Sequence, residues 1–166
     1  MTMNGILIEQ LLLHELRSRK LTFAAAESCT GGLIAKRITD LSGASAVFRG
    51  GVVSYTNDVK RDVLGVPQAL LDEHGAVSAP VAQAMAEGVR RITGADFAVS
   101  VTGVAGPDRD DRGNEVGTVY LAVSTAQNTS VSLFQFDGDR PAIRSAAADT
   151  AFSLLLRQLN ENQPTD

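Results

Sequence analysis

Side chains that can act as nucleophiles stand together in the stretch AESCTGG, where Ser28, Cys29 and Thr30 precede two glycines. Ser28 lies where an apolar run gives way to the start of a predicted helix. Backbone N–H groups at such a point face one small volume, which suits the oxyanion of an acyl transfer and a phosphate equally. The donors would be the amides of Cys29, Thr30, Gly31 and Gly32. An ordinary helix cap is the structural alternative.

A serine nucleophile needs a base, and this sequence favours lysine over histidine. His14 falls inside an amphipathic helix and His74 precedes a glycine, and both positions are typical of surface residues. Lys60 follows the second predicted strand in SYTNDVK, so it lies beside Ser28 if the first two strands are parallel neighbours. Lysine acts as a base only where burial lowers its pKa toward about 7–8. An exposed lysine at a helix start is the alternative.

Further polar groups near Lys60 are expected to share its crevice. A helical turn that begins at Thr56 places Asn57 and Lys60 on one face, with Tyr55 at the strand end directed the same way. Cys29 is a rival nucleophile, because a helix N-terminus stabilises a thiolate, although a free cysteine more often packs as a small apolar side chain. No close set of His, Cys and Asp has metal-ligand spacing, so we expect no metal and no cofactor.

The overall composition predicts one globular domain, residues 1–166, without disulfides. The net charge of −4 gives no general attraction to nucleic acid, and no apolar stretch reaches the roughly 18 residues of a membrane span. The first twenty residues lack the features of an export signal. We therefore expect a cytoplasmic protein that binds neither nucleic acid nor membrane.

Apolar periodicity predicts the elements that position these residues. Helices are expected over 6–19, from an N-cap at Thr30 to Gly43, around Val81–Ile92 and from near Pro141, with a short one from Asn57. Strands are expected at LTFAAAE, at AVFRGGVVSYT with a Gly-Gly irregularity, at DFAVSVTG, and as a hairpin of VGTVYLAVS with TSVSLFQF. This alternation predicts an α/β sandwich with a mixed sheet.

Five motifs in order, AESCTGGLIA, GGVVSYTNDVK, GAVSAP, VTGVAGP and VGTVYLAV, resemble the CinA C-terminal domain family over almost the whole chain. Active members of that family are nicotinamide-nucleotide amidases, also called NMN deamidases. The resemblance implies a three-layer α/β/α sandwich with a mixed, mostly parallel sheet. It also implies hydrolysis of nicotinamide mononucleotide to nicotinate mononucleotide and ammonia, without a metal. The catalytic serine, tyrosine and lysine would be Ser28, Tyr55 and Lys60.

The same resemblance suggests where a phosphorylated nucleotide substrate binds. Thr102, Gly103 and Gly106 match a family loop that lines the substrate pocket, although a glycine at a strand exit is often structural. Arg140 and Arg144 flank the start of the last helix, where a cation and helix N–H groups could hold a phosphate, or they are ordinary surface arginines. The full set of expected substrate-binding residues is Thr30, Gly31, Gly32, Asn57, Thr102, Gly103, Gly106 and Arg140. Family members usually form homo-oligomers, dimers or larger.

Two departures from the family pattern leave a second hypothesis open. A glycine-rich run often follows AGP in the family, whereas this chain reads DRDDRGNE, and carboxylates there would repel a phosphate unless they point away. The chain also resembles a stand-alone version that lacks the N-terminal domain of the fusion proteins. The alternative is a divergent paralogue that binds a phosphorylated small molecule without turning over nicotinamide mononucleotide.

Overall fold

Helices cover both faces of one five-stranded sheet in the computed structural model, which describes residues 2–3 and 6–161. The strands are β1 (Thr2–Met3), β2 (Ile6–Leu7), β3 (Phe23–Glu27), β4 (Phe48–Val53), β5 (Phe97–Gly103), β6 (Thr118–Ser124) and β7 (Thr129–Gln135). The helices are α1 (Ile8–Ser18), α2 (Leu33–Thr39), α3 (Asn57–Asp62), α4 (Gln68–His74), α5 (Ala79–Thr93) and α6 (Arg140–Glu161), with a 3-10 turn at Ala44–Ala46. β1 and β2 form a separate antiparallel pair.

The main sheet has the strand order β4-β3-β5-β6-β7. β3 pairs in parallel with β4 on one side and β5 on the other, while β5, β6 and β7 are joined by antiparallel pairing. Only β6 therefore opposes the direction of the other four strands. The mixed, mostly parallel sheet is confirmed, and so are the predicted hairpin and the parallel neighbours β3 and β4.

Alternate residues of β3 point to opposite faces and so divide the core into two layers. Phe23 and Ala25 pack in the apolar cluster of α1, α2 and α6, whereas Ala24 and Ala26 pack in the cluster of α4 and α5. The small side chains on the second face let α5 approach the sheet closely. This arrangement is the three-layer α/β/α sandwich that the family resemblance implies.

The two glycines of β4 mark a bulge, as the sequence predicts. Phe23 pairs with Phe48, but the next residue, Ala24, pairs with Gly50, so Arg49 is the extra residue. A side chain at Gly51 would meet the Ala25 carbonyl oxygen at 3.2 Å, which explains the absence of one. β4 thereby ends level with β3, and the residues that follow the two strands meet at one edge of the sheet.

Three predicted boundaries differ from the structure. α2 begins at Leu33 with Gly32 as its N-cap, rather than after Thr30, and it ends at Thr39, before Gly43. Ile6 and Leu7 pair as a short strand instead of starting α1. The predicted start of the last helix near Pro141 agrees with the observed start at Arg140. Across the described ranges, no helix combines the length and apolarity that crossing a membrane requires.

Candidate active site

Ser28 and Lys60 meet at the carboxyl edge of the parallel strands. Ser28 directly follows β3, and its amide donates to the Val101 carbonyl of β5 at 2.9 Å. Lys60 lies on α3, whose N-cap Thr56 accepts a hydrogen bond from Val59. The Lys60 Nζ is 3.0 Å from the Ser28 Oγ and 2.8 Å from the Ser54 carbonyl oxygen. The structure thus brings together the proposed nucleophile and base.

Burial gives the Lys60 amine the properties of a base. Only 1% of the residue is exposed, and this loss of hydration lowers its pKa from 10.5 to about 8. A neutral amine has two N–H donors and one lone pair. It can donate to the Ser54 carbonyl while the Ser28 hydroxyl donates to Nζ, so both contacts persist when the proton leaves. The alternative of an exposed lysine is excluded.

Cys29 has the environment of a packing residue. It is buried in the cluster formed by α1, α2 and α6. Burial raises the pKa of its thiol to about 11, against a smaller lowering by a backbone hydrogen bond and by nearby Lys60 and Arg144. Because the thiolate is the reactive form, this environment favours Ser28 as the nucleophile.

A buried carboxylate occupies the start of α2, where the sequence predicts a site for an oxyanion or a phosphate. Glu27 accepts hydrogen bonds from the amides of Gly32, Ile34 and Ala35 at 2.9–3.1 Å. The Gly31 amide donates to the Ser28 carbonyl. The expectation that Gly31 and Gly32 present free N–H groups to a ligand is therefore wrong in this conformation. A glutamate just before a helix start was the sequence signal for this cap.

Thr30 is buried away from solvent, and Arg144 forms hydrogen bonds with the backbone of the turn around it. Thr30 is fully buried, and its hydroxyl oxygen has no hydrogen-bond partner within the described residues. Arg144 donates to the carbonyl oxygens of Cys29 at 3.1 Å and Thr30 at 2.8 Å. The arginine therefore binds the backbone of the nucleophile turn rather than an anion. Throughout residues 6–161, the amides of Cys29 and Thr30 donate to no other residue.

Arg140 joins two other predicted site residues at the mouth of this region. Its Nη1 donates to the Gly106 carbonyl and its Nη2 to the Tyr55 hydroxyl, both at 2.7 Å. Tyr55 is 55% exposed, and in the described part of the chain its hydroxyl contacts neither Ser28 nor Lys60. A direct hydrogen bond from Tyr55 to the Ser28–Lys60 pair is therefore absent there, and the catalytic role of Tyr55 stays a prediction. Tyr55 is instead linked to a cation.

The start of α6 is also capped from within the chain. Asp139 accepts from the Ala142 amide with its carboxylate and from the Ile143 amide with its carbonyl. Helix N–H groups are thus already bonded where the sequence suggested a phosphate site. The Arg140 guanidinium, which is exposed, is the cation that remains at this helix end.

Two of the remaining predicted binding residues, Thr102 and Gly103, serve the local architecture. Thr102 is buried and donates to the Ala76 carbonyl at 2.8 Å, rather than facing a ligand. A side chain at Gly103 would meet Val119 at 2.6 Å, so close strand packing requires the glycine. Asn57 is exposed at the first position of α3.

The acidic loop after Pro107 is tied to itself and to α4. Asp110 accepts hydrogen bonds from the amides of Arg112 and Asn114, and the Asn114 side chain donates to it as well. Arg112 donates to the Leu71 and Asp72 carbonyls near the end of α4. The Asp110 carboxylate therefore bonds its own loop, which removes part of the repulsion that the sequence suggested.

Within the described ranges, no group of three His, Cys, Asp or Glu side chains lies close enough to hold a metal ion.

Comparison with known proteins gives consistent matches over nearly the whole chain. The sequence profile of the CinA C-terminal domain matches residues 7–159. A CinA-like protein of Geobacter sulfurreducens is 55% identical over 143 residues, which are 86% of this chain and 35% of that relative. The chain spans about a third of the length of the curated relatives it matches.

Solved structures give the same picture for the fold. A CinA superfamily protein from Klebsiella pneumoniae has a TM-score of 0.91 at 31% identity, covering 93% of this chain and 96% of that one. A competence/damage inducible protein from Agrobacterium tumefaciens has a TM-score of 0.87 at 41% identity, covering 96% and 99%. These names state neither a substrate nor a reaction.

Proposed function

Because the chain belongs to the CinA C-terminal domain family and holds a serine hydroxyl against a buried lysine amine, we propose that it is an amidohydrolase. The proposed substrate is nicotinamide mononucleotide, and the products are nicotinate mononucleotide and ammonia. The observation that carries the proposal is the 3.0 Å contact between Lys60 Nζ and Ser28 Oγ. The substrate comes from the family resemblance.

The first half of the reaction uses Lys60 as general base and then as general acid. Neutral Lys60 takes the Ser28 hydroxyl proton while Oγ forms a bond to the carboxamide carbon. The Lys60 ammonium next protonates the amide nitrogen, the C–N bond breaks, and ammonia leaves. An ester between Ser28 and the nicotinoyl carbon remains.

The second half returns the enzyme to its starting state. Lys60 takes a proton from water, whose oxygen attacks the ester carbon, and the returned proton restores the Ser28 hydroxyl as the acid is released. The developing oxyanion lies next to Ser28. The Cys29 amide follows the nucleophile directly and is the donor best placed there, since the Gly31 amide already donates to the Ser28 carbonyl and the Gly32 amide to the Glu27 carboxylate.

Arg140 is the proposed contact for the substrate phosphate. It is exposed at the mouth of the site, and its guanidinium has the donor geometry that phosphate oxygens match. Its present acceptors are neutral oxygens of Gly106 and Tyr55, which an anionic phosphate can replace. Tyr55 would then be released toward the bound nucleotide.

Product analysis tests this function directly. The purified chain is incubated with nicotinamide mononucleotide, and both ammonia and nicotinate mononucleotide are quantified, with nicotinamide riboside as the phosphate-free comparison. We expect equal amounts of the two products and weaker turnover of the riboside. Binding of the nucleotide without either product would overturn the amidase and favour the non-catalytic paralogue.

A further inference from the structure

A second concave site lies at the opposite end of the sheet from Ser28. It is a cavity of about 610 Å³ between the start of β5 and the turn that joins β6 to β7. Its lining includes three charged residues, Arg90, Arg91 and Asp96, together with Leu21, Phe97 and Gln127. Because Phe97 begins β5 and Val101 near its other end holds the Ser28 amide, the length of a strand separates the two sites.

Arg90, one of the two arginines that line this cavity, has donors without acceptors among the described residues. Arg90 is half-buried on the last turn of α5, and its Nε donates to the Asp96 carbonyl at 3.3 Å. Within residues 6–161, neither of its Nη atoms bonds to any group. Arg90 also lines an adjoining hollow of about 280 Å³, so the guanidinium stands between two open spaces.

Nearby carboxylates are engaged elsewhere and do not neutralise Arg90 at contact distance. Asp96 accepts from the Thr22 amide and hydroxyl, both at 2.8 Å. Glu87 accepts from Gln83 on the same helix at 2.9 Å. An arginine whose Nη donors are unbonded can bind an anion, and a planar oxyanion matches these two donors.

The rest of the cavity combines apolar and polar groups. Leu21, Ala95 and Phe97 contribute apolar surface, while Thr125 and Gln127 contribute polar groups from the turn. The cavity volume is within the range of sites for small organic molecules. We propose that this cavity binds a small organic molecule that carries an oxyanion, which Arg90 holds.

Two simple probes separate the possible sources of the oxyanion. Benzoate carries a carboxylate and phenyl phosphate a phosphate, while benzamide keeps the ring without a charge. Each is titrated into the ¹⁵N-labelled protein, following the Arg90 Nε–Hε signal and the amides of 125–127. We expect saturable shifts with at least one of the two anions and much weaker ones with benzamide.

Matched arginine variants test whether Arg90 is the anchor. Arg90→Gln should weaken anion binding by about 10-fold or more, the usual effect of losing a charge-assisted bond. Arg91→Gln should bind nearly as the wild type does, because Arg91 also lines the cavity but donates to the Leu64 carbonyl. Arg90→Lys keeps the charge without the planar fork and should fall between them.

Several results would overturn the site. These are equal affinity for benzamide and the anions, unchanged anion binding by a folded Arg90→Gln, or shifts centred on Ser28 instead of 125–127. If Arg90→Gln does not fold, Arg90→Lys is used instead. Anion binding by Arg90→Lys equal to that of the wild type would contradict recognition by the planar guanidinium. Absence of saturable binding by both anions also refutes the proposal.

Discussion

Lys60 Nζ lies 3.0 Å from Ser28 Oγ, although 32 residues separate the two along the chain. The contact exists because β3 and β4 are parallel neighbours that end at the same edge of the sheet. Ser28 leaves one strand end, and α3 follows the other, so its first turn carries Lys60 back over the serine. Topology, rather than local sequence, makes this pair.

The pH dependence of turnover should follow the Lys60 amine. Its pKa is lowered to about 8 by burial, and only the neutral form can accept the Ser28 proton. We expect kcat/KM to rise with pH and to level off above about pH 8. A kcat/KM profile across neutral and alkaline pH measures this, and a rate that falls through the same range would contradict Lys60 as the base.

Replacing Lys60 by methionine should stabilise the protein near neutral pH while abolishing activity. The folded pKa, about 8, is below the unfolded value of 10.5, so the unfolded chain binds more protons between these pH values. The wild-type free energy of unfolding should therefore rise from pH 8 to 10.5 relative to Lys60→Met. Near pH 7 we expect the variant to be more stable by about 1–3 kcal/mol after the loss of two hydrogen bonds.

Urea unfolding of both proteins at pH 7 and pH 10 checks this linkage. Contributions of groups elsewhere are common to the two proteins and cancel in the difference. If Lys60→Met is less stable than the wild type by the same free energy at pH 7 and pH 10, burial does not lower the pKa of Lys60 in the folded protein.

Glu27→Gln should loosen the start of α2. One amide oxygen cannot replace a carboxylate that accepts three N–H groups, and the new NH₂ would face donors. We expect the free energy of unfolding to fall by about 2–3 kcal/mol and turnover to decrease as the serine turn shifts. Denaturant titration measures the loss.

A surface glutamate supplies the control for that variant. Glu15 pairs with Arg19 on α1 at a partly exposed position. Glu15→Gln should change stability by less than about 1 kcal/mol. Equal effects of the two substitutions would refute the special role of Glu27.

Arg140→Gln should act on substrate binding and spare the chemistry. Loss of a charge-assisted phosphate contact is expected to raise KM for nicotinamide mononucleotide by about 10-fold or more, with little change in kcat. Nicotinamide riboside has no phosphate, so its kcat/KM should not change. Steady-state kinetics with both substrates decides, and Arg109→Gln, an exposed arginine paired with Glu115, is the matched control. A parallel loss with the riboside would place Arg140 in the chemical step.

Much of the architecture was readable from apolar periodicity. The runs at β3, β5 and the β6–β7 hairpin, the bulge of β4 and the helix containing Lys60 are all where their patterns predict them. The choice of Lys60 over histidine followed from residue types and from the assumption that two strands are adjacent. That adjacency came from analogy with parallel folds, and periodicity alone does not provide it.

The sequence did not predict which side chains bond to the backbone groups around Ser28. Glu27 is next to Ser28 in the sequence. Its hydrogen bonds to three backbone amides depend on the position of the start of α2 in the fold, which the sequence does not give. Arg144 donates to the turn that carries Ser28 because α6 packs beside it, although more than a hundred residues separate the two in the sequence. The amides at the start of α2 and the Arg144 guanidinium, which local sequence patterns suggested as ligand contacts, are therefore bonded within the protein. Homo-oligomeric assembly and a cytoplasmic location stay predictions.

The most direct test of the central claim is ammonia release from nicotinamide mononucleotide by Ser28→Ala, measured beside the wild type and Ser100→Ala. Ser100 is a buried serine whose hydroxyl donates to the Ala82 carbonyl, away from Lys60, so it matches the chemical change without touching the nucleophile. We predict activity in the wild type and in folded Ser100→Ala, and none above background in folded Ser28→Ala. Wild-type turnover by Ser28→Ala would contradict the account.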